Sequence, residues 1–538
     1  MEGLLFSQIG YCREKPAAVV WRSSSAEAFP PPLYAAGLPV QWETPVSLWG
    51  SHWFRATLPT TDASRMEITA GSQKEQLSFG DNPLWEATWR ATSYESLERR
   101  AEIAKNRRGW ADCGGDWQEA NSHACCLQGL VDLVEFADRY FSGTERQRVQ
   151  RQIAVGADFL AWYQDLASRL PGGKGGLIHE SPAFNGIIVP SDVSKAALAF
   201  ARVARFCDDQ ARSEDYRARA KAALRWLRTA RPCGATGFSY AAHGVDPSVA
   251  VPEAWMTRDL LAELGAYVEL ALMDETDLPE RGNDLVRQIV DRQWENSPEG
   301  CTYPGQFATF PGWPRPEPAW THFLGKDSIG NDVGATQPHW LVPLVRIAQH
   351  WPGSEAAAIA RRSVERFAYG YFLPACRANP FFILPLGEFP GEGLLWFAGL
   401  WHGMNSTYAH AASLAWEFRE LFQDPAFDPL IEGNLQWIAG LNSGIHPGVE
   451  LGCEMSTPDT VDGVALPVCM IYGIGRRYFG SWRTIRGSIG SGFTTGRSFR
   501  FDVPPRRRED APSSFSDEDW ITFNGAWLGA IARLRQSS

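Results

Sequence analysis

Over roughly the first 80 residues, apolar, aromatic and β-branched residues gather in short runs. These runs are LLFSQIGY, AAVVWRS, SHWFRATLP and RMEITAG, each bounded by Pro, Gly, Ser or Asp. Short aromatic or β-branched runs set apart by such turn residues read as β-strands, and their spacing suits a small β-sandwich. From about residue 85 onward apolar positions recur every three to four residues instead. Val193, Ala196, Ala197, Phe200, Val203, Ala204 and Cys207 fall on one face of a helix whose start Pro190 and Ser191 mark. The same pattern recurs in NSHACCLQGLVDLVEFADRYF, RVQRQIAVGADFLAWYQDL, YRARAKAALRWLRTA, EAWMTRDLLAELGAYVELAL, QPHWLVPLVRIAQHW, SEAAAIARRSVERFAYGYF, NSTYAHAASLAWEFRELF, DPLIEGNLQWIAGLN and DWITFNGAWLGAIARL. About ten helices result.

Long connections rich in Gly, Pro and Trp separate these helices, notably at 231–252, 296–334, 376–404 and 443–516. Loops of that length in a compact domain are usually functional. Amphipathic helices of similar length, arranged in consecutive pairs without strands between them, can bury their apolar faces by closing into a double ring. Such an (α/α) toroid gathers the long loops at one rim. A solenoid would repeat at a fixed period with short loops, whereas the spacing here is irregular. The expected organisation is mainly α: a small β-sandwich over 1–82, then a helical ring over 83–538.

Composition narrows the functional classes. At 538 residues the chain exceeds what one ordinary core organises, and 44% hydrophobic residues suffice to bury a large one. With 51 basic against 62 acidic side chains the formal charge is −11, and no Lys/Arg cluster compensates. No nucleic acid and no membrane surface is therefore expected as a partner. The Arg-rich PPRRRED near 504–510 is read as an exposed loop, because acids follow at once. The opening MEGLLFSQIGYCREKP lacks a basic n-region and a long apolar stretch, which points to a cytoplasmic protein; a chain whose leader had been removed would read the same way. No run of about 18 apolar residues could span a membrane. Ten cysteines, with no CxxC and no zinc-type His/Cys spacing, read as packed thiols. Tryptophan stands out at 23 residues, offering flat surfaces on which the CH faces of sugars stack and also good filler between helices.

GWADCGGDW at 109–117 crowds two acids and two tryptophans into a Gly-rich turn ahead of a helix. Together with FSQIGY (6–11), WGSHWFRATLP (49–59), NSTYAHAASLAWEF, WIAGLNSGIHPGVE (437–450) and SDEDWITFNGAWLGAIARL (516–534), it resembles glycoside hydrolase family 9 over nearly the whole chain. The resemblance implies an N-terminal immunoglobulin-like domain, an (α/α)6 barrel, and inverting hydrolysis of β-linked glucan-type or related oligosaccharides. It implies Asp116 as the general base, Asp112 as its helper on the attacking water, and Glu518 as the general acid, with Asn524 keeping the family spacing after Glu518. DCGGD has one more residue between its acids than the family's Asp-Ala-Gly-Asp, so Asp112 and Asp116 are exchangeable in these roles. Where the family carries a His-rich segment, GIGRRYFGSWRTIRGSIGSGF carries arginines, and Arg483 is a candidate for binding a changed sugar or an acid group.

Inverting hydrolysis needs one protonated and one ionised carboxyl about 6.5–9.5 Å apart. Residues 116 and 518 lie at opposite ends of the helical region, so only a closed ring would join them. An aspartate pair in a Gly-rich loop is expected to stay ionised through backbone N–H groups, and a glutamate against Trp520 to be raised by desolvation. Trp110 and Trp117 are the first candidates for sugar stacking, followed by Trp255, Trp313, Trp320 and Trp401. His402 and His446 are placed on rim loops within reach of substrate. Asp192 is read as a helix-dipole partner, and His123 as packed or capping. The family often binds structural calcium, but no Asp-x-Asp-x-Asp loop assigns it, so no metal ligand and no cofactor is named. An (α/α) phosphorylase, using the arginines at 476, 477, 483 and 486 for phosphate, a polysaccharide lyase, or a carbohydrate-binding protein with a lapsed site are the alternatives. Exo action on soluble oligosaccharides is the expected mode.

Overall fold

The structure is a computed structural model that describes residues 2–23, 25, 29–49, 51–112, 118–181, 186–232, 253–317, 341–396, 404–442, 460–461, 464–465, 474–478, 481–490, 492 and 520–536. Its first part is a two-sheet sandwich. One sheet orders β1 (Gly3–Leu5), β3 (Ala17–Ser23), β7 (Ser51–Leu58) and β6 (Val46–Leu48). The other orders β2 (Tyr11–Cys12), β9 (Gln73–Gly80), β8 (Arg65–Ala70), β4 (Leu33–Ala35) and β5 (Leu38–Val40). Pairing is antiparallel throughout except for β2 against β9. Leu4, Val19, Leu33, Ala56, Leu58, Ile68, Leu77 and Phe79 fill the space between the sheets.

β3 and β7 are buried on both faces. Val19, Ala56 and Leu58 point into the sandwich, while Val20 and Trp53 belong to the core of the helical part. Trp49 and Trp53 meet Phe381, Trp396 and Trp437 at ring separations of 5.3 to 6.2 Å, and Arg55 donates to the Pro380 carbonyl at 2.7 Å. Two quoted motifs from opposite ends of the chain also touch. The Gln8 N–H of FSQIGY donates to the Ala439 carbonyl of WIAGLN at 2.8 Å, and Gln436 Nε2 donates to the Gly10 carbonyl at 3.1 Å. Four of the 23 tryptophans thus meet where sandwich and helical part join.

The helical part begins with α1 (Pro83–Arg90), a π turn at Ala91–Glu95, and α2 (Ser96–Ile103). It continues with α3 (Ala120–Ala137), α4 (Gly143–Ala167), α5 (Pro190–Phe206), α6 (Gln210–Leu227), α7 (Thr257–Asp274), α8 (Glu280–Val290) and α9 (Val342–His350). Then come α10 (Glu355–Phe367), α11 (Leu373–Arg377), α12 (Asn405–Phe422), α13 (Asp428–Ile438) and α14 (Ile521–Gln536). The sequence signals are local. Ser142 and Glu145 form a reciprocal capping box at the start of α4, and Pro190 occupies the first turn of α5.

α3, α5, α7, α9, α12 and α14 contact one another in that order, and α14 returns to α3, closing a ring. The intervening helices pack outside it, which is the toroid expected from the periodicity and the (α/α)6 barrel that the resemblance implies. Closure is a backbone-to-backbone contact: a Cβ on Gly129 of α3 would lie 1.9 Å from the Gly525 carbonyl oxygen of α14. Only glycine fits there.

Asp132, Arg202, Glu269, Glu417 and Arg533 are each the thirteenth residue of α3, α5, α7, α12 and α14 respectively. They join in one buried ionic belt. Arg202 reaches Asp132 at 2.9 Å and also pairs with Glu135; Arg346 of α9 reaches Glu135 at 2.7 Å and Glu269 at 2.6 Å; Arg533 reaches Asp132 at 2.8 Å and Glu417 at 2.9 Å. Arg346 is the fifth residue of α9; equal depth on the other five of the six inner helices means that they run the same way. Their N-termini therefore share one rim, about 18 Å above the belt at 1.5 Å per residue.

Candidate active site

At that rim the first turns of the inner helices are buried yet polar. Glu119 precedes α3, Asp192 lies in the first turn of α5, Asp259 in that of α7, and Asn405, Ser406 and Thr407 begin α12. Buried polar groups in such number mark a built site rather than a packing core.

Asp112 is the best-defined candidate. Its carbonyl accepts from Arg100 Nη1 at 2.9 Å and from the Ile521 N–H, the first residue of α14, at 3.0 Å. Its carboxylate oxygen Oδ2 accepts from Ser122 Oγ at 2.6 Å and from the Glu119 N–H at 3.2 Å, while Oδ1 has no partner among the described residues. The side chain is 0% exposed. Burial, and next the nearby Glu119 carboxylate, raise the Asp112 carboxyl well above its ordinary range despite the two hydrogen bonds. The expectation that backbone N–H groups keep this aspartate ionised is therefore corrected: desolvation wins.

Two residues of antiparallel pairing extend the cluster. β10 (Gln118–Glu119) lies against β11 (Glu180–Ser181), with Glu119 opposite Glu180. Asn121 Nδ2 donates to Glu119 Oε2 at 3.0 Å, and Lys195 Nζ donates to Asn121 Oδ1 at 3.4 Å. Glu180 is 2% exposed, and its Oε1 has no partner among the described residues. Burial and then the Glu119, Asp112 and Asp192 carboxylates push Glu180 up to about 9. His179 Nδ1 is 2.6 Å from Asp192 Oδ2. Burial alone would lower His179, but Asp192 outweighs it and the ring is raised. Asp192 is thus a rim residue with a histidine partner, not simply a dipole partner. Sequence reading passed over Glu119, His179, Glu180 and Lys195; their one signal was polar residues beside helix starts in WQEANSH and GLIHES.

The other expected residues divide into three groups. Trp110 is corrected: its ring is 0% exposed, stacks on His123 at 5.2 Å, and donates Nε1–H to Gln152 Oε1 at 2.9 Å, leaving no face for a sugar. Trp255 and Trp313 come to the start of α7, where Trp313 packs edge-on against Phe310 at 5.7 Å beside Met256, and Trp255 is partly buried with its carbonyl accepting from Arg292 at 2.7 Å. Asp116, Trp117, Trp320, Trp401, His402, His446 and Glu518 lie outside the described residues, as does the Arg483 side chain; its backbone pairs with Gly475 in the hairpin Ile474–Tyr478 with Ser481–Thr484. Arg486 is exposed.

Asn524 is a clamp. Its Nδ2 donates to the Thr92 carbonyl in the π turn at 2.8 Å and to the Gly487 carbonyl at 3.2 Å. Gly487 sits at φ +83°, where a Cβ would strike the Ala91 carbonyl at 2.0 Å. Arg100 ties the same loop to Asp112 by donating Nη2 to Ser488 Oγ at 2.9 Å. Among the described residues, no group of three or more His, Cys, Asp or Glu is placed to hold a metal ion, and no helix is long and apolar enough to cross a membrane.

No family model and no curated protein matches the sequence. Solved structures do match. A metagenome-derived glycoside hydrolase family 9 endoglucanase aligns over 100% of this chain and 99% of its own, with TM-score 0.64 and 16% identity. A Bacteroides ovatus GH9 protein aligns over 99% of both chains at TM-score 0.61 and 13% identity. A thermostable endoglucanase from Alicyclobacillus acidocaldarius gives 99% of both, 0.60 and 13%. From its first strand to its last helix, this chain has the fold of the glycoside hydrolase family 9 endoglucanases, carried by a highly divergent sequence.

Proposed function

We propose that the chain is a divergent member of glycoside hydrolase family 9 that cleaves β-linked glucan-type or related oligosaccharides with inversion. Asp116 is the base on the attacking water, Asp112 its helper, and Glu518 the acid on the leaving oxygen. The observation that carries this reading is the hydrogen bond from the Ile521 N–H to the Asp112 carbonyl at 3.0 Å. Ile521 follows Glu518 by three residues, and Asp112 precedes Asp116 by four. The bond joins the described ends of the two acid-bearing segments, Asp112 and Ile521, which supports a shared rim for the two acids. The raised Asp112 suits a helper better than a base, which favours Asp116 for proton abstraction. A structure of the same fold, with TM-score 0.60 and 14% identity, was solved with cellobiose-like isofagomine, which supports a carbohydrate ligand.

Wild type on a panel of β-linked oligosaccharides, including amino- and carboxyl-bearing ones, should release products whose anomeric configuration is inverted by NMR. Single-unit products would support exo action. Glu518→Gln and Asp116→Asn should each lose about 10²- to 10⁴-fold in kcat with the thermal midpoint retained. A folded Glu518→Gln protein turning over at the wild-type rate would refute the assignment. Phosphate-dependent turnover or unsaturated products would instead identify a phosphorylase or a lyase.

A further inference from the structure

Four buried carboxyl groups share the rim on the α3–α5 side, and they are unequally supported. Asp112 has Ser122 Oγ, the Glu119 N–H and the nearby Arg100 charge. Glu119 has Asn121 Nδ2 at 3.0 Å. Asp192 has His179 at 2.6 Å. Glu180 has no hydrogen bond among the described residues: His179 Nε2 is 3.9 Å away, and Oε1 faces no partner. It also stands directly across the β10–β11 pair from Glu119, the arrangement in which like charges repel most on a strand pair. The charged groups facing it are Glu119 on β10, Asp112 ahead of that strand, Asp192 on α5, and His179 beside it. Lys195 of α5 is spent on Asn121 at 3.4 Å.

We propose that Glu180 is a positioning residue for Asp112, acting through Glu119 as an uncharged carboxylic acid. The proposal rests on the hydrolase reading, because it gives the rim carboxyls a task. With Glu180 neutral, the β10–β11 pair closes without two opposed charges. The Glu119 backbone N–H then stays on Asp112 Oδ2, and the Glu119 carboxylate stays on Asn121. Ionised in alkali, Glu180 repels Glu119 across the pair and loosens that grip. No covalent step is involved; one proton is kept or lost.

The test uses the full chain, wild type against Glu180→Gln, which is permanently neutral, and Glu180→Asp, which is not. For wild type kcat/KM is expected to fall through an inflection near about 9. Glu180→Gln should lack that inflection, and Glu180→Asp should restore one. A Gln profile carrying the wild-type inflection overturns the proposal. So does a folded Gln variant that loses more than about tenfold at every pH while Asp recovers it, since the charge would then be what matters.

A second readout needs no turnover and separates this proposal from the hydrolase reading. Thermal midpoints measured from pH 5 to 9 should fall for wild type relative to Glu180→Gln, because the folded chain keeps a proton that the unfolded chain releases. Parallel curves overturn the positioning role even if the enzyme is active. If the Gln variant does not fold, carbon-13 carboxyl NMR of labelled wild type decides the matter. One glutamate titrating near about 9 is expected, and all glutamates titrating below about 6 refutes it.

Discussion

His123 is held in one tautomer by two backbone groups. Nδ1 lies 2.9 Å from the Glu119 carbonyl and must donate, while Nε2 accepts the Trp110 N–H at 3.1 Å. The ring pins GWADC to the start of α3 and has to be neutral to do so; burial lowers its pKa to about 3. Replacing it by Phe leaves a buried N–H and a buried carbonyl unpaired, and should cost about 2–4 kcal/mol in urea unfolding. An unchanged midpoint would show that these bonds contribute nothing. Of the candidate site, Asp112 was legible because its motif is contiguous. Glu119, Glu180 and Asp192 were not, because they meet through two-residue strands and a helix start that leave no periodic trace. Trp110 was misread for a related reason: proximity in sequence to acids says nothing about which side of the turn a ring faces.

Helices with an uninterrupted apolar stripe, such as α3, α4, α5 and α12, were legible from their period alone. α1 and α2 were not among those read, since the π turn at Ala91–Glu95 adds a residue and throws the stripe out of phase. α8 is only 11 residues long and was hidden beside a long loop. Ring closure was expected, but its means, the Gly129–Gly525 crossing, was not, because a lone glycine in a helix signals weakness before it signals contact. Gly525→Ala should therefore unfold the protein or lower its midpoint by far more than helix propensity, which alone would favour Ala by about 1 kcal/mol. The added Cβ would meet the Cys126 Cα at 2.6 Å. A stabilised Gly525→Ala protein in a calorimeter would remove this account of closure.

For the whole molecule, the titrating groups set a window of stability. Burial would raise Glu135 in the ionic belt, but Arg346 and Arg202 hold it down at about 2. Its contribution is complete above the unfolded value of 4.5 and is lost as pH falls toward about 2. His123, depressed to about 3, likewise weakens the fold as pH falls below 6.5, because the unfolded chain takes up the proton first. Glu180 acts oppositely: its folded value of about 9 lies above the unfolded 4.5, so stability declines as pH rises between them. Asp112, also raised, acts with Glu180, and His410, lowered by burial to about 4, acts with His123. The midpoint should therefore peak between pH 4.5 and 6.5, where the opposing slopes cancel, and a calorimetric maximum above about pH 8 would contradict these assignments.

The Ile521–Asp112 bond makes the two halves of the proposed chemistry depend on residues synthesised hundreds of codons apart. Until α14 docks, five inner helices face an open slot, with the Gly129 surface uncovered and Asp132 and Glu417 without their Arg533 partner. Under the proposed function, competence would arrive in one step, when α14 docks between α3 and α12.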